Sequence, residues 1–259
     1  MTDRTIIVGD VHGMSVELRK LINTLEPDDT DTMIFVGDLV DKGPDSVEAV
    51  RVVRELSEHT NVVLVEGNHE EKHRRFRKHI ANNTGIAETM KGAEEMGAIT
   101  ADLSDEDVAF LNNAVPFHRA EEHGILVVHA GIPGNMVEFP ASVEEAQAMS
   151  NKKRKSLSKI LRTRFLSAET GKFLSLGDNV EGDPFWAEVY DGRFGHVVFG
   201  HEPFMDGVQY FDHATGVDTG AVFGGRLSAL VLYRSTNDVT YRSTVSVPSS
   251  GKFCEQFGE

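Results

Sequence analysis

One cysteine, Cys254, is all the thiol chemistry available to this chain of 259 residues. That excludes an intrachain disulfide and a thiolate metal cluster, and a reducing compartment is the natural expectation. No run approaches the ~20 apolar residues of a membrane span, and neither a basic nor an apolar leader precedes the first strand at about Thr5. A cytoplasmic protein with no membrane partner is therefore expected. Positive charge is also scarce, with 26 Lys and Arg against 41 Asp and Glu and a formal net charge of -15. Coating a polyanion relies on excess Lys and Arg, so general nucleic-acid binding is not expected. A phosphorylated substrate stays open, because divalent cations would reverse the potential inside a site. The chain also lacks a G-x-x-x-x-G-K-[ST] loop, a G-x-G-x-x-G turn and a G-x-S-x-G elbow. Nucleotide binding by a P-loop or dinucleotide fold is disfavoured accordingly.

What the chain does have is five short strings that each place Asp, Asn or His directly after an apolar run. They are Gly9-Asp10-Val11-His12-Gly13, Gly37-Asp38-Leu39-Val40-Asp41, Gly67-Asn68-His69-Glu70, Val128-His129-Ala130-Gly131 and Gly200-His201-Glu202. The runs before them, Thr5–Val8, Thr32–Val36, Val62–Val65, Ile125–Val128 and His196–Phe199, read as buried strands. In open α/β sheets ligands bind beyond the carboxyl ends of strands, which is where these polar residues would converge.

Between the strings the chain alternates in the manner of an α/β protein. Leu18, Leu21, Ile22 and Leu25 recur at helical spacing after Ser15, a candidate N-cap. Asp45-Ser46 is placed to cap a second helix burying Val47, Val50, Val53 and Leu56, and Glu70–Ile80 reads as a third after the Gly-Asn turn. This βαβαβ opening predicts a mainly parallel sheet. Residues 82–115 read as a polar helical segment, a cap or side layer, with Ser104 or Asp105 capping the helix that holds Val108 and Leu111. Val217, Leu227–Tyr233 and the alternating Val239, Tyr241, Thr244, Val245 and Val247 read as strands of a second sheet. Candidate ligands run from residue 10 to residue 201, so one domain over 1–259 is expected.

Asp10 and His12 flank one residue in a Gly-bounded turn, where two side chains can approach a single ion. Asp38 and Asn68 add oxygens, and His129 and His201 add imidazoles. A mixed oxygen and imidazole set suits manganese, iron, zinc or cobalt better than calcium. Six ligands are too many for one four-coordinate ion with an open position. Two ions about 3.5 Å apart sharing a carboxylate fit better, and such a pair clamps both oxygens of an in-line displacement at phosphorus.

In this order and spacing, Gly-Asp-x-His-Gly, Gly-Asp-x-Val-Asp, Gly-Asn-His-Glu, His-Ala-Gly and Gly-His resemble the calcineurin-like metallophosphoesterase superfamily, in particular its phosphoprotein-phosphatase branch. Val217–Leu227 and Trp186–Tyr190 also resemble symmetrical dinucleoside tetraphosphatases and the phosphatase module of bacterial polynucleotide kinase-phosphatases. The resemblance implies a four-layer α/β/β/α sandwich with a dimetal site at the strand carboxyl ends. It implies Asp10, His12 and Asp38 on one ion, Asp38, Asn68, His129 and His201 on the other, and Asp38 as the bridge. A hydroxide held between the ions would attack phosphorus, His69 would protonate the leaving oxygen, and Asp41 would orient and charge that imidazole. Protein phosphatases of this branch carry Asp-Arg-Gly where this chain has Asp41-Lys42-Gly43. Lys42 supplies a point charge in place of a bidentate fork, so a second phosphate contact is expected from Arg162 or Arg164, with Arg162 favoured.

The expected substrates are a phosphoprotein, a phosphomonoester or a dinucleoside polyphosphate. The first expectation is a serine/threonine protein phosphatase-type phosphomonoesterase. The alternatives are symmetrical hydrolysis of diadenosine tetraphosphate, a cyclic phosphodiesterase or RNA-end phosphatase, and a scaffold that binds a phosphorylated partner without turnover. His69-Glu70-Glu71-Lys72-His73 also spells H-E-x-x-H, which as a protease zinc site needs both histidines on one face of a continuous helix. Gly67-Asn68 is expected to break that helix. The basic run from Lys72 to His79 and that from Lys152 to Lys155 read as solvated faces. His118, His123, His196 and His213 read as structural or surface residues, Trp186 and Tyr190 as core, and Gly43, Gly67, Gly131 and Gly220 as turn formers.

Overall fold

A computed structural model describes residues 3–234 and 240–255. The chain opens with β1 (Arg4–Val8), α1 (Ser15–Leu25), β2 (Thr32–Phe35), α2 (Ser46–Leu56), β3 (Asn61–Leu64) and α3 (Asn68–Ala81). It continues through α4 (Ala93–Asp102), α5 (Asp105–Asn112), β4 (His118–Ala120), β5 (Ile125–Val127), α6 (Val143–Ala148), α7 (Asn151–Leu157) and α8 (Trp186–Val189). It closes with β6 (His196–Phe199), β7 (Gln209–Tyr210), β8 (Ala214–Gly216), β9 (Arg226–Arg234) and β10 (Thr240–Pro248).

Two five-stranded sheets form, in the orders β10-β9-β1-β2-β3 and β4-β5-β6-β8-β7. The first is parallel through β1, β2 and β3, as the opening pattern predicts, but β9 and β10 add to it antiparallel. Strands 227–233 and 241–247 therefore extend the first sheet, and the expectation that they build the second is corrected. The second sheet comes from residues 118–216, with β5, β6 and β8 mutually parallel. Val239 lies outside the described residues.

Three apolar layers stack the α/β/β/α sandwich. Ile7, Ile34, Val127, Val198, Leu230 and Leu232 fill the space between the sheets. Ile6, Val8, Met33 and Phe35, which point to the other face of the first sheet, pack under Leu18 and Leu21 of α1 and Val50 and Val53 of α2. Leu126, Val197 and Phe199 pack under Trp186, Leu157 and Ile160 on the outside of the second sheet.

An N-cap side chain sets four of the eight described helix starts. The Asp45 side chain accepts from Glu48 N at 3.0 Å to cap α2, and Ser104 and Asp107 form a reciprocal capping box on α5. Two boundaries differ from expectation. Met14 is the N-cap of α1 and Ser15 its first helical residue, with no side-chain cap. Gly67 caps α3, which starts at Asn68, so the Gly-Asn pair opens the helix instead of breaking it. Within residues 82–115, α4 and α5 lie beside α2 and α3, and Leu103 and Leu111 enter the outer core of the first sheet. Among the described residues no helix is long and apolar enough to cross a membrane.

Candidate metal centre

Six strand ends empty into one place. Asp10 follows β1, Asp38 follows β2, Asn68 follows β3, His129 follows β5, His201 follows β6 and Asp218 follows β8. Each lies just past the carboxyl end of a strand, three from each sheet, so the inter-sheet core ends in a polar cluster. Asp10, His12, Asp38 and Asp41 are all buried, and His129 has no exposed surface.

Asp38 stands at the centre. Its Oδ2 lies 3.6 Å from His12 Nε2, 3.4 Å from His129 Nε2 and 3.9 Å from His69 Nε2. Asn68 Oδ1 lies 3.0 Å and His201 Nδ1 3.2 Å from the same His129 nitrogen. Asp10 Oδ2 lies 3.9 Å from His12 Nε2, and both Asp10 oxygens accept from His201 N at 3.1 Å. Two three-residue groups have donor atoms all within 4.8 Å of one another: His12, Asp38 and His69, and Asp38, His129 and His201. Asp38 belongs to both.

The backbone is bent to achieve this. Seven described non-glycine residues have positive φ, and five of them are His12, Asp38, Asp41, Lys42 and His201. Such conformations cost of order 1–3 kcal/mol each and persist where surrounding bonds over-determine them. Glu70 provides several of those bonds. Its buried carboxylate accepts from Asp38 N at 2.7 Å, Leu39 N at 2.8 Å and Gly67 N at 3.0 Å, pinning the β2 loop to the start of α3. Gly67 is needed for space: a Cβ there would lie 2.2 Å from Asp38 Oδ1.

The donor set fits a pair of cations. His12 Nδ1 donates to Val40 O at 3.0 Å and His129 Nδ1 to Val36 O at 2.9 Å, which turns both Nε2 atoms into the cluster. Burial, with Lys42 beside it, pushes His12 down toward the neutral form that ligates a metal, and burial with Arg164 does the same to His201. Burial also opposes a charge on His129, but Asp38 overrides it and raises His129 to about 9. A cation held by the same two side chains would displace that proton. Burial and the charge of Asp218 push Asp10 upward, and Asp218 itself is raised to about 6 chiefly by burial. Positive charge between these carboxylates offsets both penalties.

Residues 4–205 match the family described as calcineurin-like phosphoesterase. The chain belongs to that family. It is thus a metallophosphoesterase, a metal-dependent hydrolase of phosphoric esters from a family that uses a dimetal centre. It is 31% identical to a Bacillus cereus protein named bis(5'-nucleosyl)-tetraphosphatase PrpE, asymmetrical, over 95% of each chain. A relative of the same name in Oceanobacillus iheyensis is 25% identical over 86% of each chain. Among solved structures, one provisionally described as a diadenosine tetraphosphatase superposes with a TM-score of 0.68 at 26% identity, covering 97% of this chain and 96% of that one. A Saccharomyces cerevisiae serine/threonine phosphatase superposes with a TM-score of 0.61 at 15% identity over 94% of this chain and 79% of its own, a likeness of fold.

Around this cluster of the metallophosphoesterase, the other expected residues separate. His69 Nδ1 donates to Asp41 Oδ2 at 2.6 Å. Lys42 Nζ donates to His12 Nε2 at 2.9 Å and lies 5.3 Å from the centre of the Phe223 ring. Arg164 reaches the rim, donating from Nε to Glu202 at 2.6 Å and from a terminal nitrogen to His201 O at 2.7 Å. Arg162 turns away to Glu71 of α3, at 2.8 Å. Three residues here carry no site role in the sequence reading: Glu70, Asp218 and His73. Asp218 repeats the strand-then-acid pattern after β8. Glu70, His73 and Phe76 are the buried face of α3, and their spacing of three marks that face. His73, taken for part of a solvated basic run, is fully buried, which corrects that reading.

Proposed function

We propose that this metallophosphoesterase hydrolyses dinucleoside tetraphosphates, cutting next to one nucleoside to leave a nucleoside monophosphate and a nucleoside triphosphate. The observation that carries the reading is a cavity of about 480 Å³ that opens directly from the ligand cluster, sharing His201, Asp218 and Lys42 with it. Phe165, Phe223, Leu176 and Arg164 also line the cavity. Apolar and aromatic faces suit a nucleobase, and Lys42 and Arg164 suit the phosphates. Because the cavity starts at His201 itself, a nucleoside seated there brings its own first phosphate to the metal ligands. The relatives named asymmetrical tetraphosphatases support the same position of cleavage, whereas the sequence puts a protein phosphatase first and offers a symmetrical split as the alternative.

Asp38 would hold both ions, with Asp10 and His12 beside the first and Asn68, His129 and His201 around the second. Manganese, iron, zinc and cobalt all suit this set of oxygens and imidazoles. When bound, the pair supplies charge to the phosphate oxygens and acidifies water. The chain's own residues do the rest. Lys42 and Arg164 offset phosphate charge and orient the polyphosphate. His69 gives a proton to the leaving oxygen, and Asp41, bonded to its Nδ1, keeps the other ring nitrogen facing the site.

The test is chromatography of products from diadenosine tetraphosphate and a phosphoserine peptide in one tube with manganese-loaded protein, with His69→Ala as the control. AMP and ATP in equal amounts support the reading. Two ADP per dinucleotide would move the cut to the centre of the chain. Phosphate from the peptide with intact dinucleotide would make this a protein phosphatase and sink the proposal.

A further inference from the structure

His73 has no place in the ligand set or at the substrate cavity, yet it is fully buried. It lies one turn beyond His69 on α3, and its Nε2 donates to Asp41 Oδ1 at 2.6 Å. His69 Nδ1 takes the other oxygen, Oδ2, at the same distance. Residues four apart share a helix face, so the H-E-x-x-H spacing here closes on a single carboxylate from another loop. Lys72 Nζ stands 3.6 Å from Oδ2, and the Asp41 amide donates to Ser46 Oγ at 2.9 Å.

The remaining His73 nitrogen, Nδ1, is buried with no hydrogen-bond partner among the described residues. A buried polar atom without a partner is costly, and an aliphatic side chain would fill the same space without that cost. Packing alone therefore gives no reason for a histidine here, whereas a second donor to Asp41 does. Asp41 also sits at φ +69°, a conformation that needs fixing from outside.

We propose that His73 is a positioning residue that locks the plane of the Asp41 carboxylate and, through it, the ring of His69. With both oxygens occupied, the carboxylate cannot turn about its terminal bond without breaking a hydrogen bond. The His69 ring then keeps Nε2 aimed at the ligand cluster, 3.9 Å from Asp38 Oδ2. The inference rests on the reading of His69 as the acid: its Nε2 proton passes to the leaving oxygen, solvent returns a proton, and Asp41 stays ionised. Loss of His73 frees the carboxylate to rotate, and the acid is presented in the right geometry for a smaller fraction of the time.

The variants are His73→Phe, which fills the space without a donor, and His73→Gln, whose amide can still donate to Asp41. Each is loaded with zinc, checked for metal content and melting temperature, and read in two ways. The first is the His69 Nδ1–H proton resonance, displaced downfield by a short bond to a carboxylate. It should move upfield or broaden in His73→Phe and be largely restored in His73→Gln. The second is turnover of two aryl phosphates. With phenyl phosphate, whose leaving group needs a proton, His73→Phe should lose roughly tenfold, a part of the ~10²-fold or more that a general acid supplies. With 2,4-dinitrophenyl phosphate, whose leaving group does not, it should lose about twofold or less.

An unchanged Nδ1–H resonance in His73→Phe overturns the proposal. So do equal losses on both esters with no recovery in His73→Gln. His69→Ala separates the two readings: if it slows both esters equally, the acid assignment fails, while the resonance still tests whether His73 holds Asp41. Should neither ester turn over, the resonance decides alone.

Discussion

Glu70→Gln is the substitution whose effect the structure defines best. Only one charge and one proton-accepting edge are lost, and the shape is kept. Glu70 Oε2 serves Asp38 N and Gly67 N, while Oε1 serves Leu39 N. A glutamine keeps the first two by placing its oxygen at the Oε2 position, which turns its NH2 group against Leu39 N at 2.8 Å. A hydrogen bond to a charged group is worth about 1.5–3 kcal/mol, and a buried N–H without an acceptor costs about 1–3 kcal/mol. Against this, burial and the nearby charge of Asp38 already raise the Glu70 pKa, so removing a negative charge relieves some repulsion. The net loss should be roughly 2–4 kcal/mol. Urea unfolding of the metal-free protein measures it directly, since the exposed surface and therefore the slope should not change. Manganese affinity should fall as well, because the Asp38 backbone at φ +52° loses a restraint. A midpoint shift worth under about 0.5 kcal/mol would refute the view that Glu70 holds the bridging loop in place.

Gly131→Ala should be strongly destabilising, because its Cβ would lie 2.4–2.6 Å from three atoms of the buried Trp186 indole. A cost of about 1–3 kcal/mol and a red shift in emission of the single tryptophan are expected, and unchanged emission and melting temperature would argue against the contact. His196, pushed down from 6.5 to about 4 chiefly by burial, resists protonation in the fold while the unfolded imidazole accepts a proton near 6.5. Stability should thus fall as pH drops from about 6.5 toward 4, less steeply in His196→Gln, and parallel curves for the two proteins would deny the effect. Arg164→Met should raise KM for diadenosine tetraphosphate about tenfold while Arg162→Met changes it less than twofold, and the reverse order would move phosphate recognition to Arg162.

The legible parts of this protein are those where one chain segment carries its own signal. Apolar runs ending in Asp, Asn or His marked the strand ends that surround the site, and Asp45 marked a helix start that its side chain caps. Partnerships between distant segments left no such trace. Residues 226–234 read as strand, but nothing local says that they pair with residues 4–8 and complete the first sheet. The start of α3 differs for a related reason: a Gly-Asn pair reads locally as a turn, while three hydrogen bonds to Glu70, two of them from the distant β2 loop, fix Gly67 as the N-cap. Glu70 and His73 were hidden among charged neighbours because a buried polar residue looks like a surface one until its partner is known.

The position of β1 in the first sheet has a consequence for synthesis. A chain made from its N-terminus completes β1, β2 and β3 early, yet the other edge of β1 waits for β9, more than two hundred residues later. Until then Ile6, Ile7 and Val8 flank a row of unpaired amides and carbonyls, the kind of edge that recruits strands from other chains. Truncation before β9, or a stalled ribosome at that stage, leaves this edge permanently open. Such fragments should be chaperone clients or aggregates even though every side chain of the candidate metal site has already been made.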